Sequence, residues 1–171
     1  MIDTIQTILA PLHGLPLWDA GKVMDMLWLQ FGAKCDAPTE EDSSRQLGEY
    51  VLHVQSPWRL SGTAGVIAGR SDVYDPADPE LGPETFHRDQ PGHAVADVQL
   101  HRWVDASRLS PPLVQSIIVD RCGGFVLELQ GEQALEVFPD SCAANESREE
   151  WRLFSANDKL PHFVYTNHGR S

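Results

Sequence analysis

The sequence has few of the residues that tie a small protein together covalently. Its 171 residues include three cysteines, Cys35, Cys122 and Cys142, which form no Cys-x-x-Cys pair. An odd number of scattered cysteines argues against a disulfide framework, so we expect buried or chemically indifferent thiols. An apolar content of 42% is ordinary for a globular protein and allows a hydrophobic core without disulfides or metals.

Positive charge is also scarce. Lys and Arg number 13 against 25 Asp and Glu, which gives a formal net charge of -12. Because proteins hold nucleic-acid phosphates with clustered Lys and Arg, this balance argues against a nucleic-acid partner. An acidic surface attracts basic proteins instead, although it also serves solubility alone.

Long apolar runs are missing as well. The longest uninterrupted apolar segments fall far short of the roughly 20 residues that a membrane-spanning helix needs. The opening residues, MIDTIQTILAPLHG, lack the basic region of a signal peptide and include Asp3. We therefore expect a cytoplasmic protein with no membrane partner.

The apolar pattern that is present predicts one β-rich α+β domain over residues 1–171. Helical spacing of the apolar residues over 2–9 predicts an N-terminal helix, and 94–106 fits a short amphipathic helix in the middle of the chain. The strands are expected to form two related antiparallel sheets or one strongly bent sheet. The two helices are expected to cover this β-structure.

The clearest strand signals lie between Val114 and Phe138. Turn residues at Cys122-Gly123-Gly124 and at Gly131-Glu132 divide this stretch into a three-stranded antiparallel meander. Each of three other segments is predicted to form one strand: 22–31, 49–55 and 162–166. Two polar, acidic stretches are predicted to be exposed connections: 33–48 and 140–149.

Two parts of the chain, 17–70 and 112–166, share an order of features. In each, a strand with a Leu-x-Val pattern is followed by a proline and later by Trp-Arg-Leu, in LHVQSPWRL and again in LEVFPDS with EWRLF. Internal repeats of this kind usually stack two similar units around one core. The sequence therefore predicts a duplication, for which chance similarity is the alternative.

The repeated Trp-Arg pairs are the candidate site residues of the sequence. Trp58 with Arg59, and Trp151 with Arg152, can form matched interaction or anion sites in which each arginine lies beside an aromatic platform. Alternatively, each tryptophan anchors the core and each arginine pairs with a nearby acid, such as Glu149 or Glu150.

No catalytic, cofactor or phosphate-binding motif is recognisable. Within a local group of potential metal ligands, His93, Asp97 and His101 would share one helix face only if the middle helix reached back to His93. Solvated histidines are the alternative. The sequence thus predicts no catalytic residue, no cofactor and no metal. The potential ligands are His87, Asp89, His93, Asp97 and His101.

The final third of the chain carries a family resemblance. The pattern V-x-x-I-x-V-D-x-x-G-G-F-V-L-E-L, followed by L-E-V-F-P-D-S, E-E-W-R-L-F and H-F-V, resembles a family of small bacterial proteins of unknown function. Such proteins are similar to the immunity and accessory proteins of polymorphic toxin systems. The resemblance implies binding to a toxin and supplies no catalytic residues.

These observations favour a non-enzymatic protein-binding role, such as immunity-type neutralisation of a basic partner. The alternative is a small-molecule or anion-binding protein, or an enzyme, with a pocket between the two halves. A homodimer that pairs through exposed strand edges is compatible with either function.

Overall fold

The computed structural model describes residues 1–36, 46–142, 148–156 and 162–166. They form two five-stranded antiparallel sheets and two α-helices, which is the β-rich α+β architecture that the sequence predicts. The helices are α1, Ile2–Leu9, and α2, Val95–Ser107. The strands are β1 Leu17–Val23, β2 Met26–Asp36, β3 Gln46–Val54, β4 Trp58–Gly62, β5 Gly65–Gly69, β6 Val114–Val119, β7 Phe125–Leu129, β8 Gln133–Val137, β9 Glu149–Ser155 and β10 Phe163–Thr166.

The two sheets have the same plan, and each combines strands from both halves of the chain. One has the strand order β1-β2-β3-β9-β10 and the other, read from its opposite edge, β6-β7-β8-β4-β5. Each half of the chain therefore gives a three-stranded meander to one sheet and a two-stranded hairpin to the other. This is the arrangement that a duplicated unit with exchanged hairpins would produce; the duplication itself stays a prediction.

The equivalence extends to strand register. Leu17 lies opposite Phe31 and Val114 opposite Leu129, and each of these pairs is followed by the same one-residue shift in register. Between the two sheets, Pro16 and Leu113 form an isolated antiparallel bridge. The peptide nitrogen of Leu17 donates to the Pro112 oxygen at 2.9 Å, and that of Val114 donates to the Leu15 oxygen at 3.0 Å.

Each helix precedes one half of the chain and packs against strands of the other half. Helix α1 buries Ile5 and Leu9 and contacts β6, whereas α2 contacts β1 and β5. Helix α2 begins at Val95 because the Asp97 carboxylate accepts the Ala94 peptide N–H at 3.2 Å, which caps the first turn. The inner faces of both sheets and the apolar faces of both helices form one hydrophobic core. Within the described ranges no helix combines the length and apolarity needed to cross a bilayer.

The prediction of a single strand over 22–31 is wrong, because β1 ends at Val23 and β2 begins at Met26. The chain reverses at Met24 and Asp25, and Met24 has the left-handed φ of 55°. Such turns normally use Gly, Asn or Asp at this position, so the sequence carries no turn signal here. Lys22 and Leu27 pair across the resulting hairpin.

The predicted acidic connections are shorter than the sequence suggests. Strand β2 continues to Asp36 and β3 starts at Gln46, so both strands extend into the stretch 33–48. The remainder of that prediction, at 37–45, lies outside the described residues, as does 143–147 of the second connection.

An aromatic cluster fixes the end of the meander. The Trp151 ring stacks on Tyr165 at 5.6 Å between centroids and meets the edge of Phe125 at 5.3 Å. The Tyr165 hydroxyl donates to the Cys122 oxygen at 3.0 Å. Gly123, in the turn between β6 and β7, has a φ of 81°, and a side chain there would overlap the Tyr165 ring. This turn therefore needs glycine for its backbone and for its close approach to the ring.

We expect Gly123→Ala to lower the free energy of unfolding by about 2–4 kcal/mol, because it adds displacement of the Tyr165 ring to left-handed backbone strain. Gly14→Ala is the matched control: its φ is 78° and nothing lies within 4 Å of an added Cβ. It should cost only about 1–2 kcal/mol. Denaturant unfolding of both variants measures the difference, and equal losses would contradict the role of the ring contact.

Candidate functional site

The repeated Trp-Arg-Leu segments are the strands in which the chain crosses from one sheet to the other. Trp58 lies opposite Val137, and Trp151 lies opposite Val54. Each copy thus pairs with the Leu-x-Val strand of the other half. The two indole rings point into the shared core, with relative exposures of 2% for Trp58 and 0% for Trp151. Buried rings anchor the core and leave only the arginines accessible to a ligand.

Both arginines lie on the outer faces of the sheets and already have carboxylate partners. Arg59 Nε donates to Glu136 at 2.6 Å across the strand pair. Arg152 binds Glu149 through two hydrogen bonds, of 3.0 and 2.5 Å. The predicted pairing with a nearby acid therefore applies to both. Their side chains stay 51% and 36% exposed, so these exposed pairs contribute little to stability.

His53 is the outward residue opposite Arg152, in the position that Glu136 takes opposite Arg59. Its ring meets the edge of Phe154 at 5.0 Å between centroids. Partial burial of the imidazole, together with the positive charge of Arg152, lowers the pKa of His53 below its usual value of about 6.5. Glu149 acts in the opposite direction more weakly.

This lowered pKa makes stability fall on acidification. The unfolded chain takes up a proton at His53 as the pH drops through about 6.5, whereas the folded protein does so only at lower pH. The free energy of unfolding should decrease across that window and level off below the folded pKa. Denaturant unfolding at a series of pH values should show the decrease in the wild type, and His53→Gln should lack this part of it.

Arg152→Gln tests the cause of the shift, because it removes the positive charge and leaves His53 in place. NMR titration of the imidazole should show a pKa closer to about 6.5 in this variant than in the wild type. An unchanged His53 pKa would mean that the charge of Arg152 does not contribute to the shift.

The two tryptophans differ in hydrogen bonding. Trp151 Nε1 donates to the Gly123 oxygen at 2.9 Å. The buried Trp58 Nε1 has no hydrogen-bond partner among the residues that the structure describes. The two copies of the motif therefore have different surroundings. Trp151 packs in an aromatic cluster and its indole N–H is hydrogen-bonded, whereas within the described ranges the indole N–H of Trp58 is not.

We expect Trp151→Phe to lower the free energy of unfolding by about 1–2 kcal/mol more than Trp58→Phe. Both changes remove similar ring volume, but only the first leaves a buried carbonyl without its donor. Thermal and denaturant unfolding of the two variants provide the comparison. Equal losses would show that the indole hydrogen bond adds nothing measurable.

A groove of about 520 Å³ lies beside Arg59. Strand β5 supplies Val66, the 3₁₀ turn over Arg70–Val73 supplies Arg70, and the chain after β8 supplies Phe138 and Asp140. Arg70 forms an ion pair of 2.9 Å with Asp25 in the β1–β2 turn and also donates to the Gln55 oxygen. Sequence reasoning missed all of these residues except Arg59. The sequence Phe138-Pro139-Asp140 carried a signal for one of them, because a proline and an aspartate mark the exposed turn that follows a strand.

A second cleft, of about 440 Å³, separates β1 from α2. Its floor contains Lys22, whose side chain is 3% exposed and lies 3.3 Å from Asp97. The Lys22 ammonium also donates to the Arg88 oxygen at 2.5 Å. Trp28 lies across Gly21, which has no room for a side chain. Because the lysine is already satisfied by two acceptors, this cleft offers a ligand fewer free polar groups than its size suggests.

The potential metal ligands are not brought together. Helix α2 starts after His93, Asp97 binds Ala94 and Lys22, and His101 lies 3.1 Å from Asp105. No set of three or more His, Cys, Asp or Glu side chains in the described ranges is arranged to hold a metal ion. Of the three free thiols, Cys122 and Cys142 are exposed, so of the two expected alternatives, burial does not apply to them.

Comparison with protein-family models, curated proteins and solved structures finds no match to this chain.

Proposed function

We propose that this protein is a non-enzymatic binding protein whose partner is a basic protein. In the form that the family resemblance suggests, it covers the basic surface of a toxin and neutralises it, as an immunity protein does. Binding in the cytoplasm, where the sequence predicts the protein to be, belongs to the same proposal.

The observation that carries this proposal is unbalanced negative charge on the exposed connection that follows the 3₁₀ turn. Five carboxylates of this connection are exposed, and Arg88 is its one basic residue. Clustered charge of one sign raises the rate at which an oppositely charged protein associates and sets its orientation. The net charge of -12 acts in the same direction. The exposed carboxylates belong to Asp75, Asp78, Glu80, Glu84 and Asp89.

An anion-binding function has less support. The arginines that an anion would need, Arg59, Arg70 and Arg152, each have a carboxylate partner at hydrogen-bonding distance. A bound anion would have to displace that carboxylate or be repelled by it, which weakens its attraction to the guanidinium.

The first test is an affinity pull-down from the source lysate, with washes at about 0.05 and 0.5 M salt and identification by mass spectrometry. We expect a basic protein that is retained at low salt and weakened at high salt, because salt screens attraction between exposed charges. A matched control carries Asp78→Asn, Glu80→Gln and Glu84→Gln, which remove three charges and keep side-chain size. With purified partner, this variant should associate several-fold more slowly.

Retention of acidic or neutral proteins, without dependence on salt, would contradict the proposal. Neutralisation is tested separately by expressing the captured protein in a host cell with and without this protein. Growth only in the presence of this protein supports an immunity function, and growth that does not depend on it removes that function.

A further inference from the structure

Exposed apolar side chains concentrate at one corner of the molecule. Nine large apolar residues are exposed in the described part of the chain, and five of them belong to this corner. Three line the groove beside Arg59, and two come directly before Asp25 in the β1–β2 hairpin, which the Asp25–Arg70 ion pair ties to the groove. We call this set the apolar corner: Val23, Met24, Val66, Tyr74 and Phe138.

Clustering of this kind differs from the scattered exposure that is normal on protein surfaces. Val66 is 63% exposed, Met24 53% and Phe138 44%. Single exposed apolar residues need no explanation, but a concentration of them on one part of a surface marks an interaction site. Methionine and aromatic residues are also enriched where proteins bind one another.

Met24 departs from two local rules at once. Its backbone takes the left-handed φ of 55°, where glycine or asparagine costs less, and its apolar side chain faces solvent. Nothing in the hairpin itself requires a methionine here. Local conflicts of this kind concentrate at functional sites, where a contact outside the fold offsets them.

The charged residues around the apolar corner favour a positively charged partner. Arg59 is neutralised by Glu136, and Arg70 is neutralised by Asp25. Two further carboxylates line the groove, Asp72 and Asp140. With the ion-pair partners counted, and with Arg88 and its partner Asp89 beside Tyr74, five carboxylates stand against three arginines. A cationic group therefore gains from both the field of the groove and the exposed Phe138 ring, whereas an anion is repelled.

The structure contains an internal example of the contact that such a partner would make. The Arg88 guanidinium lies over the Tyr74 ring, at 5.4 Å from its centroid. Arginine stacked on an aromatic ring is a common anchor at protein interfaces. The Phe138 ring in the same groove presents another accessible aromatic surface.

From these observations we infer that the apolar corner is the docking surface for the partner, and that it takes a segment in which Lys or Arg alternates with apolar side chains. This inference rests on the proposed function and names the surface that performs it. Met24 and Phe138 are the apolar anchors, and Asp72 and Asp140 receive the basic side chains.

The experiment uses synthetic peptides as probes and the full-length, isotope-labelled protein. An Arg-Leu alternating octapeptide is titrated while amide NMR signals are followed, beside an Arg-Ser and a Glu-Leu octapeptide of the same length. The Arg-Leu peptide should shift the signals of the apolar corner and bind at least about fivefold more tightly than Arg-Ser, since loss of an apolar anchor typically costs that much or more. The Glu-Leu peptide should not bind.

Variants then test the anchors against matched controls. Met24→Gly and Phe138→Ser should each weaken Arg-Leu binding at least about fivefold. Met24→Gly should also leave the Tm unchanged or raise it, because glycine tolerates the left-handed backbone. The controls are Leu109→Ser and Ile118→Thr, which remove exposed apolar groups elsewhere and should leave binding unchanged.

The outcomes separate this inference from the function on which it rests. Binding of the basic peptides with shifts centred on another surface, or equal affinity of wild type and Met24→Gly, overturns the docking surface and leaves the preference for a basic partner intact. Binding of the Glu-Leu peptide in place of the basic ones, or binding of no peptide, overturns both.

Discussion

The two sheets depend on one reciprocal contact, in which each Trp-Arg-Leu strand pairs with the Leu-x-Val strand of the opposite half. Trp58 and Trp151 enter the core at these two places, and both are among the largest fully buried side chains. Because a half contributes only three strands to its own sheet, neither sheet is complete without the other half. The helices also join the two halves: α1, before the first half, packs on β6 of the second, and α2, before the second half, packs on β1 and β5 of the first.

The same motif also shows how one position changes the chemistry of a surface. The middle residue of each Leu-x-Val strand lies opposite the arginine of the crossing strand. Where it is Glu136, it binds Arg59 and neutralises the wall of a groove. Where it is His53, it offers no carboxylate, and Arg152 binds Glu149 instead. The two halves of the chain thus present unlike outer faces, and a binding surface on one of them has no counterpart on the other.

The sequence predicts those parts of the fold that local patterns determine. Alternating apolar residues and the glycine turn at Gly123 identify the meander, and helical spacing identifies both helices. The β1–β2 turn escapes this approach because Met24 occupies a position where turns normally carry Gly or Asn. The exchange of hairpins between sheets also escapes it, because strand pairing across the whole chain leaves no local signal. Of the groove residues, the sequence indicates only Trp58 and Arg59, since the groove is lined by three separate segments of the chain.

The reciprocal pairing has a consequence for synthesis on the ribosome. Strand β3 has its final neighbour, β9, about a hundred residues further along the chain. At translation rates of about 5–20 residues per second, roughly 5–20 s pass before that neighbour exists. During this interval β3 is an open edge with apolar residues, which is the kind of edge that recruits other chains. The nascent protein therefore has a period in which association with a chaperone matters more than at any later stage.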